Sequence, residues 1–106
     1  MYMIIFEVYP HSDQRHRYFE LAEQLRETLH KQSGFVHVER FQSLVDEGKI
    51  LSISCWESEE AIANWRNHAD HMVVQSEGRE CVFASYRLRV AEVKRDYSFS
   101  SAGETP

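Results

Sequence analysis

The stretch that decides the fold is residues 55–65, CWESEEAIANW. It follows an apolar, strand-like segment, residues 50–54. Ser58 can accept a hydrogen bond from a free N–H of a first helical turn, and the two glutamates after it complement the positive helix end. Apolar residues then recur at helical spacing up to Trp65. The stretch therefore predicts a strand that turns within two residues into a short helix.

Upstream of this stretch, the sequence predicts one strand and one longer helix. Residues 2–9 alternate two side-chain sets that are both mostly apolar, which is typical of a strand covered on both faces. Pro10 ends this strand, and an apolar stripe at helical spacing follows. The stripe consists of Tyr18, Leu21, Ala22, Leu25 and Leu29. We expect Ser12 or Asp13 to cap the helix at its start, and Gly34 to cap its end.

The remaining segments complete the order β-α-β-β-α-β. Residues 35–44 and 49–57 form two strands joined by a hairpin turn, and residues 82–93 form the last strand. The second helical region is interrupted near Asn67 and His68 and continues over residues 70–79. This order predicts an α+β protein with a ferredoxin-like fold, in which both helical regions cover one face of an antiparallel sheet.

Composition limits the classes of function. The chain has 106 residues, which suits one domain, predicted over residues 1–97, followed by a flexible Ser- and Gly-containing tail at 98–106. Seventeen acidic against twelve basic residues give a net charge of −5, and no stripe of Lys and Arg predicts a nucleic-acid partner. The apolar run at residues 1–6 is too short for a signal peptide or a membrane span. The two cysteines lie in different segments and predict no disulfide, so we expect a soluble cytoplasmic protein without membrane partners.

These features together resemble the antibiotic biosynthesis monooxygenase family. The resemblance extends from the first strand to about Tyr97. The segments that carry it are Gly34-Phe35, Trp56-Glu57-Ser58-Glu59 with Ala61, Trp65 at the helix end, and the long final strand. The family consists of small dimeric ferredoxin-like proteins, among them cofactor-free oxygenases and heme-degrading enzymes.

The heme-degrading members use a pattern that this chain lacks in part. They have an Asn on the first strand, a Trp at this helix end, and an iron-ligating His nine or ten residues later. Trp65 matches the Trp, but the first strand contains no Asn. Val74 and Gln75 stand where the His would be, and His68 and His71 come too early. Heme binding through a displaced ligand stays an alternative.

Polar residues cluster around the predicted helix break next to Trp65. Asn64, Asn67, His68 and His71 serve either as caps and turn formers or as a polar patch at the mouth of a pocket. On the second interpretation His68 and His71 are catalytic proton carriers, while Trp65, Asn64 and Asn67 bind substrate. The His-x-x-His pair would need a third ligand to hold a metal, and no signature supplies one, so we predict no metal.

The resemblance implies a cofactor-independent monooxygenase that acts on a small aromatic or quinol substrate with dioxygen. The sequence has no dinucleotide or phosphate-binding fingerprint, so we predict no cofactor. A non-catalytic ligand-binding dimer is the other alternative. A homodimer is predicted from the residues themselves, because a sheet with helices on one face leaves a second, apolar face. Two copies packed sheet to sheet would form a dimeric α+β barrel.

Overall fold

The computed structural model describes residues 1–101. Within them, the strands are β1 Tyr2–Pro10, β2 Phe35–Gln42, β3 Ile50–Trp56 and β4 Phe83–Glu92. They form one antiparallel sheet with the order β2-β3-β1-β4. The helices are α1 Arg15–His30, α2 Glu59–Arg66 and α3 Ala69–Glu77. The predicted α+β, ferredoxin-like fold is confirmed. Of the predicted tail, 102–106 lies outside the described residues, and 98–101 contain no helix or strand.

The ends of α1 differ from the prediction. A short 3-10 turn, Ser12–Gln14, precedes the helix, and no side chain caps the N-terminus of α1. At the other end the helix stops at Lys31, whose N–H bonds back to the last turn. Gly34 comes three residues later and opens β2, where it adopts a left-handed conformation with φ of 83°. Its freedom of φ therefore serves the entry into the sheet and not the helix cap.

Gly34 also explains why α2 starts where it does. A side-chain carbon at Gly34 would lie 2.6 Å from the Cβ of Ala61, so only glycine permits this approach. The Gly34 carbonyl accepts a 2.8 Å hydrogen bond from the N–H of Glu57. The predicted cap is confirmed, because the hydroxyl of Ser58 accepts the N–H of Ala61 at 3.1 Å. These contacts fix α2 against the end of the hairpin.

The two faces of the sheet have different roles. Strand register places the even-numbered residues of β1 and β3 toward the helices and the odd-numbered ones on the opposite face, called here the distal face. The helix-facing side holds two buried clusters, and the partly buried Leu25 packs against both. One cluster contains Val8, Tyr18, Leu21, Ile50, Val74 and Val82. The other contains Leu29, Trp56, Ala61, Ile62 and Trp65.

Candidate active site

A cavity of about 200 Å³ lies between the sheet and the helices. All four strands contribute to its floor, and α1, α2 and α3 form its walls. The α1 wall is apolar and consists of Tyr18, Leu21, Ala22, Leu25 and Leu29. Such a cavity, mostly apolar with a few converging polar groups, is the usual form of a small-molecule site.

The floor of the cavity is formed by two rows of side chains that cross the sheet. From β2 across the sheet to β4, the first row is Arg40, Ser52, Phe6 and Leu88. The second row is Val38, Ser54, Ile4 and Val90. The β2–β3 half of the floor therefore carries one guanidinium and two hydroxyls, whereas the β1–β4 half is entirely apolar.

Trp65 belongs both to the core and to the cavity wall. It is 7% exposed and lies in the same cluster as the fully buried Trp56, with the two rings stacked at a centroid distance of 6.4 Å. Trp56 is structural, as expected, and its indole N–H donates to the hydroxyl of Ser54 at 2.9 Å. Trp65 also lines the cavity next to His71, with ring centroids 4.9 Å apart. The sequence left core and cavity wall open as alternatives, and the structure combines them.

His71 lines the cavity from the first turn of α3. Burial lowers its pKa below the usual value for histidine, and the nearby His68 lowers it further, against an opposing contribution from the hydrogen bond to Arg66. Nδ1 lies 3.4 Å from the backbone carbonyl of Arg66. Because a carbonyl only accepts, Nδ1 carries the hydrogen and Nε2 keeps a lone pair. Because its pKa is lowered from 6.5, the imidazole of His71 is mainly neutral at pH 7, and Nε2 can accept a proton.

The structure separates the five residues predicted as a site. Trp65 and His71 line the cavity together, whereas His68, Asn64 and Asn67 do not. His68 is the N-cap of α3, and its Nδ1 accepts a backbone N–H at 3.1 Å. Asn67 is the exposed C-cap of α2, and Asn64 is exposed on the same helix. The break between α2 and α3 thus places one histidine at the cavity and uses the other to start α3.

Sequence reasoning missed three polar residues of the floor, which are Arg40, Ser52 and Ser54. The available signal was the alternation within β3. Its helix-facing set contains two serines between Ile50 and Trp56, while its distal set is apolar. Serines at positions that should pack under helices indicate a cavity. Gln75 of α3 also lines it.

Two features are absent from residues 1–101, a cluster of metal-ligating side chains and a membrane-crossing helix. In that part of the chain, no three His, Cys, Asp or Glu side chains are grouped so that they could hold a metal ion. Among the same residues, no helix has the length and apolar character needed to cross a membrane. Cys55 and Cys81 are free thiols, the first partly buried and the second exposed.

Known proteins with similar sequences include one named enzyme. The jasmonate monooxygenase ABM of Pyricularia oryzae is 39% identical over 93 residues, which cover 88% of this chain and 43% of that protein. The uncharacterized protein YqjZ of Bacillus subtilis is 35% identical over 82 residues, which cover 77% of this chain and 70% of that protein. This chain therefore spans less than half the length of the Pyricularia enzyme.

Solved structures support the fold independently. The structure of Rv0793 from Mycobacterium tuberculosis superposes with a TM-score of 0.82 at 15% identity, covering 92% of this chain and 98% of that one. At such low identity the likeness establishes the fold alone. A model of the family described as "Antibiotic biosynthesis monooxygenase" matches residues 1–76. With this match over most of the folded region, the chain belongs to the antibiotic biosynthesis monooxygenase family.

Proposed function

We propose that this protein is a cofactor-independent monooxygenase that oxidises a small aromatic or quinol-type substrate in the cavity. The observation that carries the proposal is the position of His71, a neutral imidazole beside Trp65 in a mainly apolar cavity. Family membership supports the reaction class. In this proposal His71 is the proton carrier, and Trp65 is the flat wall against which the substrate ring packs.

The reaction needs a base and a dry site but no external reductant. His71 takes the proton of a substrate hydroxyl, and the resulting anion transfers an electron to dioxygen. The radical pair combines to form a C–O bond, and the peroxide takes the proton back from the His71 imidazolium. Cleavage of the O–O bond with loss of the ring C–H proton releases water and leaves a quinone carbonyl. One oxygen atom enters the product and the other becomes water, so one dioxygen is used per substrate.

For His68, Asn64 and Asn67 we propose roles outside the cavity, because none of the three lines it. His68 begins α3, so we assign it the positioning of His71, three residues further along the same helix. Asn64 and Asn67 are exposed on α2 and at its end. They could contact a substrate only where it extends beyond the cavity.

The test is oxygen uptake by the purified protein with a series of dihydroxynaphthalenes, whose hydroxyl groups carry the proton that the proposed reaction removes. We expect stoichiometric oxygen consumption with at least one of them, and His71→Gln should reduce the rate by about 100-fold or more, as for loss of a general base. His30→Gln is the matched control, because His30 is exposed and outside the cavity. No uptake with any substrate, or an unchanged rate in His71→Gln, would overturn the proposal.

Heme binding is the competing function. His71 could supply a displaced ligand, since it is neutral and borders the cavity. The fit is poor, because the ring of Trp65 packs against it and a 200 Å³ cavity is much smaller than a porphyrin. Titration with hemin decides: a Soret shift that saturates at one heme per chain and disappears in His71→Gln would favour the heme function over the oxygenase.

We further propose that two copies assemble through the distal faces into a dimeric α+β barrel. The distal face has an apolar centre, formed by Met3, Ile5, Leu51, Ile53 and Cys55. Charged or titratable residues surround it, namely Glu7, His37, Glu39, Arg87 and Arg89, of which Glu7 pairs with Arg89 and with Lys49. An apolar centre with a polar rim is the composition of a protein–protein interface. No described element covers this face, so a second copy would bury it.

The exposed end of the chain supports the same assembly. After β4, residues 93–101 form no regular structure in the single chain, and Tyr97 and Phe99 are more than four-fifths exposed. In a dimer this segment can pair with the partner subunit, as predicted for a long final strand. Light scattering should give about twice the 12.5 kDa chain mass. Ile53→Lys should yield a monomer, whereas Val73→Lys, at an exposed position of α3, should not. A monomeric wild type would refute this.

A cytoplasmic location remains part of the proposal. Both cysteines are free thiols in the described structure, and Cys81 is exposed. Free exposed thiols suit a reducing compartment. Cell fractionation with thiol labelling of Cys81 tests it, and recovery of the oxidised protein from an extracellular fraction would contradict it.

A further inference from the structure

The polar half of the cavity floor holds hydrogen-bond donors that the fold itself does not use. The side chains of Arg40 and Ser52 are cross-strand neighbours in the β2–β3 pairing. Within residues 1–101, neither makes a side-chain hydrogen bond or an ion pair with another described residue. The guanidinium groups of Arg15 and Arg17 are bound to Gln42 and Glu77. Among the described residues, Arg40 and Arg66 line the cavity without such a side-chain partner, and of the two it is Arg40 that lies beside Ser52.

Ser54 adds a third donor to this half. Its oxygen accepts the indole N–H of the buried Trp56 at 2.9 Å, which leaves the hydroxyl hydrogen free to donate. Ser54 lies in the next floor row, beside Val38. The patch therefore holds three donors, one of which is a permanent cation, and the described cavity residues offer this cation no anionic acceptor. Among described residues, no Asp or Glu lines the cavity, although the whole chain has a net charge of −5.

We propose that Arg40, Ser52 and Ser54 form a carboxylate-binding subsite, and that the substrate is an apolar molecule carrying one carboxylate. A planar carboxylate accepts two N–H bonds from a guanidinium and keeps lone pairs for hydroxyl donors. The apolar body would lie over Ile4, Phe6, Leu88 and Val90. Three strand spacings separate Arg40 from Leu88, roughly 14 Å at ~4.8 Å each, which suits a ring with a short acidic side chain.

This inference deepens the proposed function, since it names the substrate class of the same cavity. Arg40 is exposed at the β2 edge of the sheet, so the carboxylate would sit at that edge, and the apolar body would extend across the floor toward Leu88 and Val90 on the opposite edge strand, which are 46% and 45% exposed. In that arrangement the substrate carboxylate stays partly hydrated, while the Arg40 guanidinium provides its positive partner at a fixed place in the sheet. It also orients the body of the molecule toward the apolar half and the wall formed by Trp65 and His71.

The test compares two ligands of the same shape that differ in charge, 1-naphthaleneacetate and 1-naphthaleneacetamide, by isothermal titration calorimetry at neutral pH. We expect the carboxylate to bind the wild-type protein at least about 10-fold more tightly than the amide, as for a charge-assisted pair. Arg40→Gln should remove this preference, and Ser52→Ala should reduce it. Arg26→Gln makes the same charge change on the exposed side of α1, paired with Glu23, and should keep it.

Three results would overturn the inference. They are equal affinity for acid and amide in the wild type, no measurable binding of the acid at millimolar concentration, and an undiminished preference in Arg40→Gln. Arg66 also lines the cavity, so a preference lost in Arg66→Gln but kept in Arg40→Gln would equally refute the assignment. Because the readout is binding, it is independent of turnover. A carboxylate preference without oxygen uptake would refute only the monooxygenase, and oxygen uptake without the preference would refute only this subsite.

Discussion

The contact between Gly34 and Ala61 offers the sharpest test of how the fold holds the candidate site. Gly34 has a φ of 83°, and a Cβ added there would lie 2.6 Å from the Cβ of Ala61. Gly34→Ala therefore introduces two separate costs. One is the left-handed backbone, and the other is a steric clash between β2 and α2. The clash must be relieved by moving α2, which carries Trp65 four residues after Ala61 and on the same helical face.

The two costs can be given magnitudes. A residue with a side chain in the left-handed region costs about 1–2 kcal/mol. Overpacking against a buried neighbour costs about 1–3 kcal/mol, so we expect Gly34→Ala to lower the free energy of unfolding by about 2–5 kcal/mol. In an Ala61→Gly background the opposing carbon is absent, and the same substitution should cost only about 1–2 kcal/mol. The difference between the two backgrounds, about 1–3 kcal/mol, is the contact itself.

Urea denaturation of the wild type, both single variants and the double variant measures this difference as a double-mutant cycle. Protein concentration must be constant, because association adds to the measured stability. Gly48→Ala is the control: its Cβ would lie 3.6 Å from the nearest atom, at an ordinary φ, so it should be neutral or stabilise by about 0.4–1 kcal/mol. Additivity of the Gly34 and Ala61 costs within about 0.5 kcal/mol would show that the two carbons do not meet.

Three further perturbations have defined outcomes. Trp65→Ala should lower the unfolding free energy by about 3–5 kcal/mol, because Trp65 is a core residue, and should also abolish ligand binding; a stable variant that still binds would contradict both roles. The folded-state pKa of His71 is lowered, so the unfolded chain binds its proton first as pH falls. The free energy of unfolding should therefore decrease as the pH falls below about 6.5, and more steeply in the wild type than in His71→Gln. Parallel plots of the free energy of urea unfolding against pH for the two proteins would refute this. Arg17 donates two hydrogen bonds to Glu77, at 2.6 and 2.8 Å, and holds the pKa of that carboxyl below its usual value. These bonds stabilise the fold at a pH above the pKa of Glu77 in the unfolded chain, and the stabilisation is lost as the pH falls through its lower pKa in the folded protein. Arg17→Gln should therefore have a lower melting temperature than the wild type at neutral pH and the same melting temperature in strong acid. A difference that persists in acid would argue against the pair.

The parts of the fold that were predictable depend on local sequence. The Ser58 cap, the stop of α2 and the hairpin each rest on residues a few positions apart, and local hydrogen bonding decides them. The start of α1 was not predictable in this way, because Ser12 and Asp13 enter a 3-10 turn and leave Gln14 before the helix. The role of Gly34 was misassigned for a different reason. Its partner Ala61 is distant in sequence, and only the folded chain shows the contact.

The candidate site likewise contains residues that local sequence could predict and residues that it could not. Trp65 and His71 were identifiable because they are six residues apart, on either side of one short helix break, and so stay close in the folded chain. Asn64, Asn67 and His68 lie in the same short stretch, yet Asn64 is exposed on α2, Asn67 caps the end of α2, and His68 caps the start of α3. Proximity in sequence therefore identified the region of the site without ranking its members.

The floor residues required information that no single segment contains. Arg40 and Ser52 come from different strands, and they meet only because the β2–β3 register pairs them. A shift of that register by one residue would turn Arg40 to the distal face, while Ser52, held by the pairing of β3 with β1, would stay under the helices. The same register thus gives the cavity its polar half and keeps the Arg40 guanidinium off the distal face. A hairpin variant that alters the register should therefore impair ligand binding and dimer formation together, whereas Arg40→Gln should impair binding alone.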